Sequence, residues 1–147
     1  EESFYDPDEN LTKGDDRGVS KVIYKYDSNG NEIESSFYDS EGNLTTNPQF
    51  GSSKTISQYD SDGNRVEWSF YDSDGSLFMK VIYKYDSNGN KVEWLEYDLL
   101  GSLSGKSIYK YDSKNRIIES ISYDLESKFG ELQEIPTKKT IYQYEEY

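Results

Sequence analysis

Lys80-Val81-Ile82-Tyr83-Lys84-Tyr85-Asp86-Ser87-Asn88-Gly89-Asn90-Lys91-Val92-Glu93-Trp94-Leu95-Glu96-Tyr97-Asp98 contains both halves of the unit that repeats along this chain. Two segments rich in aromatic and β-branched residues each close on Tyr-Asp, and Asp86-Ser87-Asn88-Gly89-Asn90 separates them. Alternation of Ile and Tyr with polar residues fits a pleated, half-buried surface and predicts strands. In the separating segment the Asp can accept backbone hydrogen bonds and the Gly can take a left-handed conformation, as in a type I turn with a G1 bulge. The period therefore reads as a β-hairpin.

The same reading extends in both directions. Tyr-Asp recurs with its tyrosines at 5, 26, 38, 59, 71, 85, 97, 111 and 123, and Tyr144-Glu145 is a degenerate further copy. Successive tyrosines lie 21, 12, 21, 12, 14, 12, 14, 12 and 21 residues apart, so the unit is a pair of segments repeated about five times. Turns like that at 86–90 stand at 27–31 and 60–64, with related ones at 39–43 and 72–76, whereas Leu99-Leu100-Gly101 and Leu125-Glu126-Ser127 depart from the pattern. The expected fold is all-β: an antiparallel meander of about ten strands built from five tandem hairpins, one domain over residues 1–147. It is expected either to coil as an open solenoid or shell or to close as a barrel. Closure is favoured, with Glu1 to Tyr5 pairing Lys139 to Tyr144, because a barrel removes exposed edges.

Two columns repeat strictly. The first-half segments read Lys-x-Ile-Tyr-Lys/Gln-Tyr-Asp from Lys21, Lys54, Lys80, Lys106 and Lys139, with Ser57 the break in the first Tyr column. In the second halves a Glu stands four residues before the Tyr: Glu1, Glu34, Glu67, Glu93 and Glu119. A three-residue loop would place Tyr83 opposite Glu93, Ile82 opposite Trp94 and Tyr109 opposite Glu119. By strand parity one face would then carry the Tyr and Glu columns, with tyrosine hydroxyls bonding the carboxylates, and the other face the Lys, Ile and Trp. That puts the Tyr/Glu face inside. Three longer intervals, at about 12–20, 45–53 and 130–138, read as extended loops or elongated hairpin tips.

Sixteen basic against twenty-nine acidic residues leave a net charge of −13, which repels phosphate backbones and anionic membrane surfaces. Neither nucleic acid nor direct membrane insertion is expected, and no stretch approaches the roughly 20 apolar residues of a spanning helix. Only 33% of residues are hydrophobic, but fifteen Tyr, six Phe and two Trp supply the burial that disordered acidic chains lack. Cys and His are absent, which excludes thiol and imidazole catalysis and zinc sites built on those residues. Carboxylate pairs are abundant, yet glycoside hydrolysis needs two carboxyls in unlike environments and a repeat multiplies one environment, so no catalytic residue is expected. The turn aspartates Asp27, Asp60, Asp72 and Asp86 are the candidate calcium ligands. Their Gly falls at the fourth position rather than the sixth of an EF-type loop, so plain turn chemistry is the stronger reading and no cofactor is expected unless it is calcium. Trp68 and Trp94, with Tyr83 and Tyr85, are the candidate ligand-binding residues, as a surface for sugar stacking or protein docking. The competing reading packs the two indoles against Ile56 and Ile82.

Tyr-Asp-x-x-Gly-Asn between aromatic strands, as at Tyr26 to Asn31, Tyr59 to Asn64 and Tyr85 to Asn90, resembles the YD or RHS repeats of bacterial surface and secreted proteins. MORN repeats are the nearest competitor but lean more on Gly and paired aromatics. The resemblance covers nearly the whole chain and implies antiparallel hairpin strips that act as scaffold, with any toxic activity in a separate domain. It further implies an extracellular or cell-surface setting, with partners that are proteins or glycans there. The chain opens on Glu1-Glu2 without Met, so an export signal is expected to have been removed or to lie outside it. A non-catalytic scaffold or binding module is the expected function, and a carbohydrate-binding module, calcium-assisted or not, is the alternative.

Overall fold

In the computed structural model, residues 2–3, 18–128 and 131–145 are described. Their strands are β1 (Glu2–Ser3), β2 (Lys21–Tyr26), β3 (Glu32–Tyr38), β4 (Lys54–Tyr59), β5 (Arg65–Tyr71), β6 (Leu77–Tyr85), β7 (Lys91–Asp98), β8 (Leu103–Tyr111), β9 (Ile117–Lys128) and β10 (Glu131–Ile141). Strand order follows chain order in one antiparallel meander, without helices among the described residues. By contacts the chain divides into two compact units, Glu1–Lys80 and Val81–Tyr147, with the division falling inside β6.

Turn chemistry follows the sequence closely. At 27–31 the Asp27 amide donates to the Asn31 carbonyl at 3.0 Å, the Gly30 amide donates back to the Asp27 carbonyl at 3.2 Å, and Gly30 has φ +85°. The turns at 39–43, 60–64, 72–76 and 86–90 repeat these bonds. So does Asp98 to Ser102, because Asp98 and Gly101 hold the two essential places whatever Leu99 and Leu100 contribute. Asp112 to Arg116 forms the same turn with Asn115 at φ +59° in place of Gly, which Asn tolerates better than most residues. Leu125 to Ser127 forms no turn; β9 runs on through it.

No closing pair of β1 with β10 is present among the described residues. Among the described residues β1 pairs with β2 alone and β10 with β9 alone. The partners expected at Glu1, Phe4 and Tyr5 lie outside the described residues, as do Leu11 to Arg17 of the first long interval. The interval at 45–53 is a compact loop in which the Asn47 amide donates to Ser52, and it sets Phe50 against Trp68 and Phe70 at centroid distances of 5.2 and 6.1 Å. The interval at 130–138 lengthens a hairpin, since Glu131 already pairs with Lys128 and the ladder runs to Ile141 opposite Glu119.

The face assignment changes. Tyr26 pairs Glu32 but Lys25 pairs Glu34, so Ile33 is an extra residue in β3. Val66 and Ile118 are extra in the same way, between Tyr59–Arg65 and Gln58–Glu67, and between Tyr111–Ile117 and Lys110–Glu119. Each is a bulge one step beyond the turn, and a one-residue shift moves every later side chain to the other face. Tyr109 therefore faces Ser120, not Glu119. The glutamates share a face with the lysines and isoleucines, while Val22, Tyr24, Ser35, Phe37, Ser57, Trp68 and Phe70 share the opposite one.

Candidate functional site

Three glutamates of the column, Glu34, Glu93 and Glu119, are each clamped by their own hairpin and the next. Glu34 lies 2.8 Å from Lys25 on β2 and 3.5 Å from Lys54 on β4. Glu93 is held by Lys84 at 2.5 Å and Lys106 at 3.8 Å, and Glu119 by Lys110 at 2.7 Å and Lys139 at 2.6 Å. Of the two contacts at Glu119, that from Lys110 is an ion pair without a well-directed hydrogen bond on Oε1. Where Gln58 replaces the lysine, Glu67 takes the Gln58 amide at 3.4 Å and the Ser69 hydroxyl at 3.0 Å instead. Burial pushes the Glu34 carboxyl up, but Lys25 and Lys54 outweigh it and hold the group below its ordinary value. Lys110 and Lys139 do the same for Glu119. Lys106, with only 14% of its side chain exposed, donates to both carboxylate oxygens of Glu134 at 2.7 and 2.6 Å, and that bond raises it against the effect of burial.

The tyrosines bond backbone rather than glutamate, contrary to the expected hydroxyl–carboxylate pairs. Tyr59 donates to the Glu32 carbonyl at 2.9 Å, Tyr111 to that of Lys91 at 2.9 Å, and Tyr144 to that of Ile117 at 2.8 Å. Glu32 and Ile117 immediately precede the extra residue of a bulge, where the regular ladder is interrupted. The tyrosine of one hairpin thus hooks the irregular backbone of the hairpin before it. Second-half tyrosines do something else: Tyr71 and Tyr123 lie beneath the ammonium groups of Lys54 and Lys106, at 6.0 and 5.4 Å.

Of the predicted ligand-binding residues, Trp68 and Trp94 are half-buried and share the tyrosine face. Trp68 faces Ser57 rather than packing on Ile56, and it is enclosed by Phe70 at 4.4 Å, Phe50, and the Arg65 guanidinium at 4.8 Å. Trp94 faces Ser107 and lies over Gly105; a Cβ there would come within 3.0 Å of the indole. Tyr83 and Tyr109 each lie 5.4 Å from the Lys91 ammonium, and Tyr85 is half-buried with partners of its own. Sequence reasoning does not reveal these cations, because their contacts depend on the bulge. The available signal was charge: lysine opposite glutamate is a cheaper pairing than tyrosine opposite glutamate.

The predicted calcium ligands serve their own turns. Asp27 Oδ1 accepts the amides of Asn29 and Asn31 while Oδ2 accepts the Asn31 side chain, and Asp60 and Asp86 repeat all three bonds. The Asn side chains, then the backbone amides, hold these three carboxyls below their ordinary range. Asp72 takes the amides of Asp74 and Ser76, in a second-half turn at the opposite end of its strand from Asp60. No cluster of three or more potential metal ligands occurs among the described residues. On the charged face a depression of about 210 Å³ is lined by Lys21, Ile23, Tyr38, Asp39 and Gly42. Its carboxylate, Asp39, is already bonded by the amides of Glu41 and Asn43.

No family model matches the chain, and no curated protein is similar to it. Among solved structures it is similar to a protein of unknown function from Bacteroides fragilis, with TM-score 0.57 and 18% identity over 83% of this chain and 92% of that one. A DUF3836 family protein from Bacteroides vulgatus matches at TM-score 0.47 and 21% identity, over 60% of this chain and 96% of the other. The first likeness establishes the fold, an antiparallel meander sheet.

Proposed function

We propose that this chain is a non-catalytic β-repeat scaffold or binding module of the YD/RHS kind, belonging to a secreted or surface-exposed bacterial protein. The observation that supports it is the use made of the repeated residues. Glutamate, both lysines, the first-half tyrosine and the turn aspartate of the unit each bind the next hairpin, the previous hairpin or their own turn. Residues recruited for catalysis would depart from the repeat, and no such departure brings unlike carboxyls together in a cleft among the described residues.

The carbohydrate reading rests on Trp68, Trp94, Tyr83 and Tyr85. Arg65 already covers the Trp68 ring and Lys91 stands over Tyr83, so a stacking sugar would displace cation–π contacts of about 0.5–1 kcal/mol each. This cost favours the scaffold reading over the glycan binder. Tryptophan emission titrated with soluble glycans, with and without calcium, tests the order: it should stay unchanged. A saturable shift that Trp94→Ala abolishes would reverse it.

A further inference from the structure

We infer that the outer edge of β10 docks a second copy of this chain through the edge of that copy's β1 that faces away from β2, joining copies head to tail. The inference rests on strand pairing and stands whichever reading of the function holds.

Residues 139–144, at the end of β10 and just beyond it, follow the first-half pattern of the repeat, and their inward bonds are the standard ones. Ile141 pairs Glu119 as Ile56 pairs Glu34 and Ile108 pairs Glu93, and Lys139 and Tyr144 make the clamp and hook of the interior hairpins. The outer side differs. The interior isoleucines and tyrosines that correspond to Ile141 and Tyr142, Ile23, Tyr24, Ile108 and Tyr109 among them, are half-buried where a second-half strand lies alongside. Ile141 is 56% exposed and Tyr142 39%. The Tyr142 amide donates inward to the Ile118 carbonyl at 3.0 Å, so strand alternation turns the Ile141 amide and carbonyl outward. Pro136 and Lys138 blunt the edge nearer the hairpin tip, as natural edges are blunted, but the stretch beyond them carries the aromatic pattern that pairs elsewhere.

Strand β1 has the complementary register. Glu2 pairs Val22 and Ser3 pairs Lys21, the register in which Ser35 pairs Thr55 and Ser36 pairs Lys54. That makes β1 a second-half strand on its β2 side, while its other side pairs with nothing among the described residues. Extending the β2–β3 register across copies would set Tyr142 opposite Glu2 and Ile141 opposite Ser3 of the neighbour, as Tyr24 stands opposite Ser35 and Ile23 opposite Ser36. The partner is thus selected by the same pattern that orders the strands within one chain.

Sedimentation equilibrium of the 147-residue chain from micromolar to millimolar concentration tests this. A head-to-tail contact leaves one edge open at each end, so the mean mass should climb past the dimer without a plateau. Ile141→Pro, which removes an outward amide, and Ile141→Lys, which keeps every amide but charges the edge, should each hold the chain monomeric with an unchanged circular dichroism spectrum. Should the proline variant unfold, the lysine variant decides alone. The mass of a single chain throughout, a plateau at the dimer, or assembly that survives Ile141→Lys would each overturn the inference.

Discussion

The two compact units use one repeat and hold it together differently. In residues 18–80 the buried apolar residues are Val19, Val22, Phe37 and Phe70, and the loop at 45–53 adds Phe50 to an aromatic group with Trp68, Phe70 and Phe78. In residues 81–145 only Val81 and Leu95 are buried apolar side chains among those described. There the charged side chains run as chains of contacts, Lys84 to Glu93 to Lys106 to Glu134, and Lys110 to Glu119 to Lys139. A single sheet has no second layer to cover it, so each region needs some other way of excluding water. An inserted loop provides it in one unit, and in the other the stem of Lys106, whose side chain is largely buried, contributes.

The strongest test of that contrast is Phe70→Ala. Phe70 is 2% exposed within the aromatic group, and its truncation should destabilise the chain by about 3–5 kcal/mol in urea unfolding. A loss below about 1 kcal/mol would mean that the loop does not make a core there. Next comes Gly105→Val, where the added Cβ alone would meet the Trp94 ring at 3.0–3.1 Å and overpacking should cost about 1–3 kcal/mol. In a Trp68→Phe background the emission of Trp94 should shift to the red as the indole is lifted off the strand. Unchanged emission would remove Trp94 from that contact.

Tyr111→Phe sharpens the comparison on a smaller scale. It deletes the hydroxyl bond to the Lys91 carbonyl and should cost about 0.5–1.5 kcal/mol, as should Tyr59→Phe at Glu32, because the hook is common to both units. A cost confined to one unit would show that the hook matters only where charge does the rest.

The smallest effects concern salt and pH. Glu34 and Glu119 titrate below their unfolded values, so the stability they contribute is present above the unfolded carboxyl pKa of about 4.3 and is lost as pH falls through the lower folded one. Lys25, Lys106 and Lys110 are raised, so their contribution is complete below about 10.4 and is lost as pH rises through the higher folded values. The melting temperature should be flat between those limits and fall outside both. At pH 7, molar salt should lower stability more in the charge-linked unit, read as faster amide exchange in β8 and β9 than in β4 and β5. Equal responses in the two pairs of strands would end the distinction.

Local chemistry was legible in the sequence. Tyr-Asp periodicity, the Asp-x-x-Gly turns and the alternation of Ile and Tyr determine strand count, hairpin connectivity and meander order, because each depends on neighbours within a few residues. Even the departure at Leu99 and Leu100 keeps its turn, since Asp98 and Gly101 supply the bonds. What only the tertiary structure decided is which face each column occupies. The extra residues Ile33, Val66 and Ile118 have no signature of their own, and the carbonyls beside Ile33 and Ile118 are satisfied by tyrosines 27 residues downstream. Whether the ends of the sheet meet was likewise beyond the sequence. Pairing rules state that β1 and β10 are complementary, but whether they reach each other is set by the twist and coil accumulated over all the strands between them.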